Sequence, residues 1–328
     1  MKKPILGVTL YSFTNEWQQR LYTLEQLVEK VARLDLGPAV EVVGFQSFRT
    51  FPDVPDDFAR YFRDLLEKNG LSPSCLGANL DFGRRKDRLM NDDEKIAYIE
   101  RQIVSARKLG FPVMRIQHTA GAKVLEALEP AARAAGVQLA CELHSPLSAD
   151  NPDVIELRER FDRIGSEYLG FIPDFSATMT AVPEGHWENL RRSGAPEALI
   201  AEARAIWKTD DPTPVKFGAL AAAADRFKVG PAAMSQLNLA MTMFGHAPVD
   251  SWRELLPYAR HIHGKFYHVD EKGSEPSIPY PALMSLLTDA GYGGTISAEW
   301  EGTAFTEEAA GFEEVQRWRA MGERLLAD

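Results

Sequence analysis

The sequence predicts an α/β fold, a (β/α)8 TIM barrel with an enlarged helical connection after strand six. Short apolar runs alternate with amphipathic segments along most of the chain, which indicates parallel strands joined by crossover helices. Eight such units fit within 328 residues without an internal break in composition. The glycine-rich fingerprint of an open dinucleotide-binding sheet is missing after the first strand. We therefore expect a single TIM-barrel domain over residues 1–328.

The predicted strands are short, apolar and rich in β-branched or aromatic residues. They cover residues 5–13, 39–46, 71–80, 112–118, 137–144, 168–175, 261–269 and 294–301. Helices with one apolar face are predicted over residues 24–34, 56–68, 92–109, 153–164, 281–290 and 306–326, and a further helix ends before Gly136. Gly70, Gly110 and Gly165 follow three of these helices. Glycine commonly ends a helix, so these residues support the predicted ends.

Residues 176–258 interrupt the alternation of strands and helices. This segment contains helical stretches at residues 196–207 and 231–244, separated by proline and glycine, and shows no clear strand. We interpret it as a helical insertion within the barrel. Two roles remain open for it, a lid over part of the substrate or a contact in an oligomer.

Composition excludes several classes of protein. The net charge is −10 and the 37 basic residues form no sustained stripe, so nucleic acid is not an expected partner. No run approaches 18 apolar residues and no secretory signal is recognisable, so we expect no membrane association and a cytoplasmic location. Cys75 and Cys141 lie in apolar runs outside any C-x-x-C pattern, which indicates buried thiols.

Four potential metal ligands lie near the ends of strands five to eight. Glu142 lies in an apolar strand, where an ionised carboxylate is costly unless it is paired or binds a metal. Asp174 follows Pro173, which ends the strand ladder and directs the aspartate towards the barrel mouth. His263 and Glu299 complete the set. In a barrel these strand ends meet on one face, so we predict a metal site there.

The imidazole ligand and the metal require a choice. Strand seven carries His261, His263 and His268, and we select His263 because it is central in the strand. Three carboxylates and one imidazole form an oxygen-rich set, which suits Mn²⁺, Mg²⁺ or Co²⁺ better than a thiolate zinc site does. We expect one divalent ion, Mn²⁺ first among these.

His144 is the predicted catalytic base. It lies two residues after Glu142, so both side chains point to the same side of the strand. A fifth protein ligand would crowd out a substrate, whereas a neutral imidazole can remove a proton next to a polarised carbonyl group. The alternative is a histidine that only hydrogen-bonds in a loop.

Five further residues are predicted to bind substrate. Tyr11, Gln46 and Gln117 follow strands one, two and four, and aromatic faces and amides suit a polyhydroxylated ring. Lys265 shares a strand face with His263, and Glu301 shares one with Glu299. For each residue alone, ordinary packing or hydrogen bonding is the alternative.

Eight βα units with Glu142, Asp174, His263 and Glu299 closing strands five to eight resemble the xylose-isomerase-like TIM barrel superfamily of sugar phosphate isomerases and epimerases. This resemblance covers essentially the whole chain. It implies that these four residues hold a divalent metal, usually Mn²⁺ or a related ion.

Three segments resemble the alpha subunit of bacterial C-glycoside deglycosidases, the large and catalytic one. They are residues 11–17 (Tyr-Ser-Phe-Thr-Asn-Glu-Trp), 42–47 (Val-Val-Gly-Phe-Gln-Ser) and 173–179 (Pro-Asp-Phe-Ser-Ala-Thr-Met). The resemblance implies a metal-dependent lyase that cleaves the C-glycosidic bond of 3-oxo-glucosides. It removes the proton at C2, with His144 in the position of the base, and eliminates the aglycone. It also implies a hetero-oligomer with a small β-sandwich beta subunit.

Two other functions remain open from the sequence. A ketose or sugar phosphate isomerase or epimerase would use the same metal-enediolate chemistry, with Glu142 and Glu299 as two opposed bases. A carbohydrate-binding protein without catalysis would have no need of a metal set beside a base. His144 beside Glu142 favours elimination.

Overall fold

A barrel of eight parallel strands forms the centre of the computed structural model, which describes residues 2–327. The strands are Ile5–Thr9 (β1), Ala39–Val43 (β2), Ser72–Gly77 (β3), Val113–Gln117 (β4), Gln138–Leu143 (β5), Leu169–Pro173 (β6), Ile262–Phe266 (β7) and Thr295–Trp300 (β8). Seven neighbouring pairs run in the order β6-β5-β4-β3-β2-β1-β8-β7. Single bridges from Phe171 to Ala259 and from Asp174 to His263 join the two ends. The predicted TIM barrel is confirmed.

Helices connect the strands and cover the outside of the barrel. Within residues 2–327 the α-helices are Thr14–Gln18 (α1), Leu24–Arg33 (α2), Gly44–Ser47 (α3), Asp56–Lys68 (α4), Asp92–Leu109 (α5), Ala122–Ala135 (α6), Pro152–Ile164 (α7), Glu184–Arg192 (α8), Glu197–Trp207 (α9), Thr213–Arg226 (α10), Pro231–Met243 (α11), Tyr280–Asp289 (α12) and Gly311–Ala327 (α13). None of the helices in this part of the chain is long and apolar enough to cross a membrane.

Local signals in the sequence set several helix ends. Helix α5 begins with a capping box, in which Asn91 accepts from the Glu94 amide and the Glu94 side chain accepts from the Asn91 amide. Gly110 follows the same helix with a φ of 85°, and Gly165 follows α7 with a φ of 62°. Residues with side chains are strained in this left-handed region, which is why glycine stands there.

The strands end earlier than the sequence predicts. Strand β1 stops at Thr9, whose hydroxyl accepts from the Tyr11 amide and starts a turn of 3-10 helix over Leu10–Phe13. Leu10 and Phe13 are nevertheless buried. A buried apolar run therefore continues past the end of the strand, so apolar pattern alone overestimates strand length.

The last helix begins at Gly311, five residues later than predicted. Asn15 holds the preceding segment in an irregular path by donating to the carbonyl oxygens of Thr306 and Glu308, at 2.8 and 2.9 Å. The backbone also passes so close to Ser12 that a Cβ on residue 311 would lie 2.4 Å from the Ser12 carbonyl oxygen. Only glycine fits at this approach.

The enlarged connection after β6 contains four helices, α8 to α11, which pack on one another and bury their own aromatic and aliphatic side chains. Trp187, Leu199, Trp207 and Leu237 are among the fully buried residues of this group. The enlarged helical connection is thus present. That it forms an insertion within a single domain, with the bounds 176–258, stays a prediction.

Candidate active site

The four predicted ligands converge inside the mouth of the barrel. Glu142 lies on β5, Asp174 directly after β6, His263 on β7 and Glu299 on β8. All four are buried, and one donor atom from each lies within 4.8 Å of every other. Parallel strands bring their carboxyl ends to one face of a barrel, which explains how residues more than 150 positions apart meet here.

His263 lies at the centre of the cluster. Its Nδ1 is 2.9 Å from Glu142 Oε1, 3.1 Å from Glu299 Oε2 and 3.9 Å from Asp174 Oδ2. The other two histidines of this segment lie elsewhere. His261, two residues before His263, is buried, and its Nε2 lies 3.1 Å from Glu41 Oε2. His268 is exposed and contacts Glu314.

Two carboxylate oxygens of the cluster are buried without a hydrogen-bond partner among the described residues. They are Asp174 Oδ2 and Glu299 Oε2. Lys265 Nζ lies 3.4 Å from the first oxygen and His263 Nδ1 lies 3.1 Å from the second, but neither contact has hydrogen-bond geometry. Buried carboxylate oxygens in this state are stabilised by a cation bound between them. Three carboxylates and one imidazole nitrogen are donors that hard divalent cations accept. The residues present therefore fit a divalent metal ion.

Two basic side chains offset part of the negative charge of the carboxylates. Arg115 Nη1 donates to Glu142 Oε2 at 3.0 Å. Lys265 Nζ lies 3.2 Å from Glu299 Oε1, 3.4 Å from Asp174 Oδ2 and 2.8 Å from Glu301 Oε2. These contacts hold the cluster together from both sides of the barrel.

Burial and neighbouring charges shift the pKa values of individual cluster residues in opposite directions. Burial opposes ionisation, but Arg115 and His263 hold the pKa of Glu142 well below its usual range. Burial raises the pKa of Asp174, with Glu299 adding to the rise and Lys265 opposing it. Burial opposes the charge of Lys265, yet Asp174 and Glu299 raise its pKa well above the usual value, so it stays an ammonium.

A cavity of about 300 Å³ opens above the cluster. Glu142, His263 and Glu299 form part of its lining, together with five of the other predicted residues: Tyr11, Gln117, His144, Lys265 and Glu301. The Tyr11 hydroxyl donates to Glu301 Oε1 at 2.8 Å, which places Tyr11, Glu301 and Lys265 in one hydrogen-bonded group. Gln46 lies apart from this lining, because its amide donates to the Thr14 hydroxyl at 3.0 Å.

His144 lies immediately after β5, and its ring lines the cavity. Its Nδ1 lies 2.5 Å from the carbonyl oxygen of Ser145. A carbonyl oxygen can only accept a hydrogen bond, so Nδ1 carries the hydrogen and the lone pair of the neutral ring is on Nε2. This arrangement leaves one nitrogen of His144 able to accept a proton.

Several residues at the site were not predicted from the sequence, and four of them stand out by their charge or aromatic ring. Glu41 and Arg115 are charged residues inside the apolar strands β2 and β4, and Phe45 and Tyr267 line the cavity. The reasoning applied to Glu142 would have selected the first two, because each is a charge in a buried strand. Phe45 has no comparable signal in the sequence. Its side chain is 60% exposed beside the cavity, and only the structure shows this exposure.

Comparison with known proteins agrees with this geometry. The profile of the family described as "Xylose isomerase-like TIM barrel" matches residues 28–320. The chain belongs to the xylose isomerase-like TIM barrel family. This membership confirms the superfamily resemblance seen in the sequence.

Curated relatives extend the comparison within the family. A protein of Microbacterium trichothecenolyticum named "C-glycoside deglycosidase alpha subunit" is 40% identical, over 99% of this chain and 93% of its own. A Microbacterium sp. protein named "3'-dehydrocarminate deglycosidase alpha subunit" is 36% identical, over 99% and 96%. An Arthrobacter globiformis protein named "C-glycoside deglycosidase alpha subunit" is 41% identical, over 91% and 84%. The chain is thus an enzyme homologous to these alpha subunits, and the isomerase or epimerase alternative is not favoured.

Several solved structures share the fold at low sequence identity. A D-psicose 3-epimerase crystallised with D-fructose superposes with a TM-score of 0.59 at 14% identity, covering 100% of both chains. A sugar phosphate isomerase/epimerase from Parabacteroides distasonis gives 0.53 at 13% identity, covering 99% of this chain and 95% of its own. These likenesses show the barrel architecture alone.

Proposed function

We propose that this member of the xylose isomerase-like family is the catalytic alpha subunit of a C-glycoside deglycosidase. It acts as a metal-dependent lyase on 3-oxo-glucosides and cleaves the bond between the sugar and the aglycone carbon. The observation that carries the proposal is the similarity to deglycosidase alpha subunits over nearly the whole chain. The name of one relative also specifies a 3'-dehydro compound, in agreement with a 3-oxo sugar.

Glu142, Asp174, His263 and Glu299 would hold the divalent cation. We propose Mn²⁺, with Mg²⁺ or Co²⁺ as substitutes, because the donors are three carboxylates and one imidazole. When bound, such an ion supplies electrophilic stabilisation of the negative charge that develops on a carbonyl oxygen. Arg115 and Lys265 keep the carboxylates aligned by hydrogen bonds and ion pairs from either side.

His144 would move the proton. Its Nε2 removes the hydrogen at C2, and the electrons of that C–H bond enter the enolate of the neighbouring 3-oxo group. The carbonyl group then re-forms while a double bond forms between C1 and C2, and the bond from C1 to the aglycone carbon breaks. The aglycone carbon takes up one proton as it leaves. Protonated His144 supplies the proton that it took from C2 and so returns to its neutral form.

The cavity offers separate surfaces to the two halves of the substrate. Tyr11, Glu301 and Lys265 form the hydrogen-bonding group that we assign to the sugar hydroxyls, together with the Gln117 amide. Gln46 would reach the sugar only by giving up its bond to Thr14.

Apolar side chains stand at the cavity for the aglycone. Phe45 is 60% exposed and Met243, at the end of α11, is 39% exposed, and both line the cavity. Their exposed faces suit stacking against an aromatic ring. We propose that they contact the aglycone.

A partner subunit completes the proposed enzyme. The relatives are named alpha subunits, which implies that they work with another chain. We propose a small β-sandwich beta subunit and a hetero-oligomer for this protein.

A substrate panel tests the proposed reaction. The chain, alone and with a candidate beta subunit, is incubated with Mn²⁺ and 3-oxo C-glucosides, 3-oxo O-glucosides or free ketohexoses. Chromatography is expected to show release of the aglycone from the 3-oxo C-glucoside and no epimer of the ketohexoses. Epimer formation without aglycone release would contradict the proposal and favour an epimerase.

A further inference from the structure

Glu41 lies at the base of the cluster, where its carboxylate is enclosed by two imidazole rings. The side chain is on β2 and only 2% exposed. Oε1 lies 3.0 Å from Nε2 of His263, and Oε2 lies 3.1 Å from Nε2 of His261. The same nitrogen of His261 is 2.8 Å from the Ser297 hydroxyl on β8. The four side chains therefore link three strands below the cluster.

Both ring nitrogens of His263 lie within hydrogen-bond distance of a carboxylate, Nε2 next to Glu41 and Nδ1 next to Glu142. A cation held by Glu142, Asp174 and Glu299 requires the lone pair of Nδ1, so in the metal-binding ring Nε2 keeps the hydrogen and donates it to Glu41. In the neutral ring the lone pair is then on Nδ1, the nitrogen that faces Glu142, Glu299 and Asp174. A ring with the opposite tautomer would direct a hydrogen into the cluster instead of a lone pair.

A second cation between Glu41, His261 and His263 is the competing interpretation, since their donor atoms also lie close together. Here, however, both Glu41 oxygens accept hydrogen bonds from the imidazoles. The cluster above differs, because in the described part of the chain Asp174 Oδ2 and Glu299 Oε2 accept no hydrogen bond, although Lys265 and His263 lie 3.4 and 3.1 Å from them. Hydrogen bonding therefore accounts for Glu41 without a second ion.

We infer that Glu41 is a positioning residue that orients His263 and fixes its tautomer for metal binding, with His261 and Ser297 holding Glu41 in place. This inference rests on the metal site of the proposed function. Carboxylates in this position increase the basicity of a ligating imidazole and prevent its rotation. Strands β1 and β8 lie between β2, which carries Glu41, and β7. Glu41 is not one of the four clustered ligands, so we assign its effect on the metal to its contact with His263.

The test measures metal affinity instead of turnover. Glu41→Gln keeps the size of the side chain but can accept from only one imidazole through its single carbonyl oxygen. Competition with a chelator is expected to show Mn²⁺ binding about 10- to 100-fold weaker than in the wild type. The visible spectrum of the Co²⁺-loaded protein is expected to change as well, because the His263 ligand is no longer held.

Two further variants make the outcomes distinct. Glu314→Gln is the matched control, because Glu314 is also a buried carboxylate that accepts from a histidine, His268, and from the Val269 amide. It is expected to keep wild-type Mn²⁺ affinity. Glu299→Gln removes a proposed ligand and is expected to weaken binding.

The inference is overturned if Glu41→Gln lowers only the melting temperature of the metal-free protein and binds Mn²⁺ as tightly as the control. If Glu299→Gln weakens binding in the same experiment, the metal site stands and only the role of Glu41 is lost. A wild-type chain that binds no divalent cation would overturn both.

A measurement on the wild-type chain covers the case in which Glu41→Gln does not fold. The protein has 7 histidines, so selective ¹⁵N labelling of histidine gives a readable spectrum of the Mg²⁺-loaded chain. Long-range ¹H–¹⁵N correlations are expected to show hydrogen on Nε2 of His263. Hydrogen on Nδ1 would overturn the inference.

Discussion

At the scale of single residues, the site is a set of charges that are buried only because they compensate one another. Glu142 and Glu299 were found from the sequence because each is a charged residue near the end of an apolar strand, and His263 was found because it is central in predicted strand seven. Glu41 is also a charged residue in an apolar strand, but it lies in the middle of β2, so a search near strand ends does not select it. Which charges meet across the barrel is decided by strand register, which one strand does not reveal.

The separate roles proposed for Glu142, as a metal ligand, and His144, as the base, lead to a prediction. His144→Ala removes the nitrogen assigned to proton transfer but none of the four proposed ligands, so turnover is expected to fall by at least about 100-fold. Binding of Mn²⁺, measured by chelator competition, is expected to remain within about threefold of the wild type. His268→Ala is the control, since this exposed histidine contacts Glu314 outside the cavity. Loss of metal binding in His144→Ala would contradict the separation of roles.

At the scale of elements, the sequence predicts the order of strands and helices well and their ends less well. Gly110 and Gly165 mark real helix ends, because positive φ there excludes side chains without strain. The start of α13 depends instead on contacts with distant residues, such as the bonds from Asn15 to Thr306 and Glu308. A local pattern does not contain those contacts.

The helical connection after β6 provides a prediction on stability. His186, on α8, is 3% exposed, lies between the rings of Trp187 and Phe244, and hydrogen-bonds through Nε2 to the Gln236 carbonyl oxygen. Burial lowers the pKa of His186 to about 4. Its contribution to stability is therefore complete above the pKa of about 6.5 in the unfolded chain and declines as the pH falls towards 4, because the unfolded state binds the proton first.

Replacing His186 removes this dependence on pH. Between pH 6.5 and 5 the free energy of unfolding is expected to fall by about 1.5 kcal/mol more in the wild type than in His186→Gln. Denaturant titrations followed by tryptophan fluorescence at the two pH values measure the difference. His268→Gln, on an exposed side chain, serves as the control. Equal pH dependence in wild type and His186→Gln would show that His186 is not held neutral by burial.

At the scale of the whole molecule, the barrel brings one residue each from β5, β7 and β8, and Asp174 beyond β6, to a single point. The sequence predicted this meeting because the architecture itself requires it: parallel strands in a barrel share one carboxyl face. It did not predict the apolar rim of Phe45 and Met243, because the course of the loops and of α11 is not a repeating pattern. The fold therefore determines the metal cluster, while the connections determine what can lie beside it.

The central claim, that this protein removes the C2 proton and eliminates the aglycone, is tested most directly with a 3-oxo C-glucoside deuterated at C2. With Mn²⁺ and the partner subunit, mass spectrometry of the products is expected to show a free aglycone and an unsaturated 3-oxo sugar that has lost its deuterium. A control without enzyme corrects for spontaneous exchange. Release of the aglycone with a sugar that keeps deuterium at C2 would contradict the account.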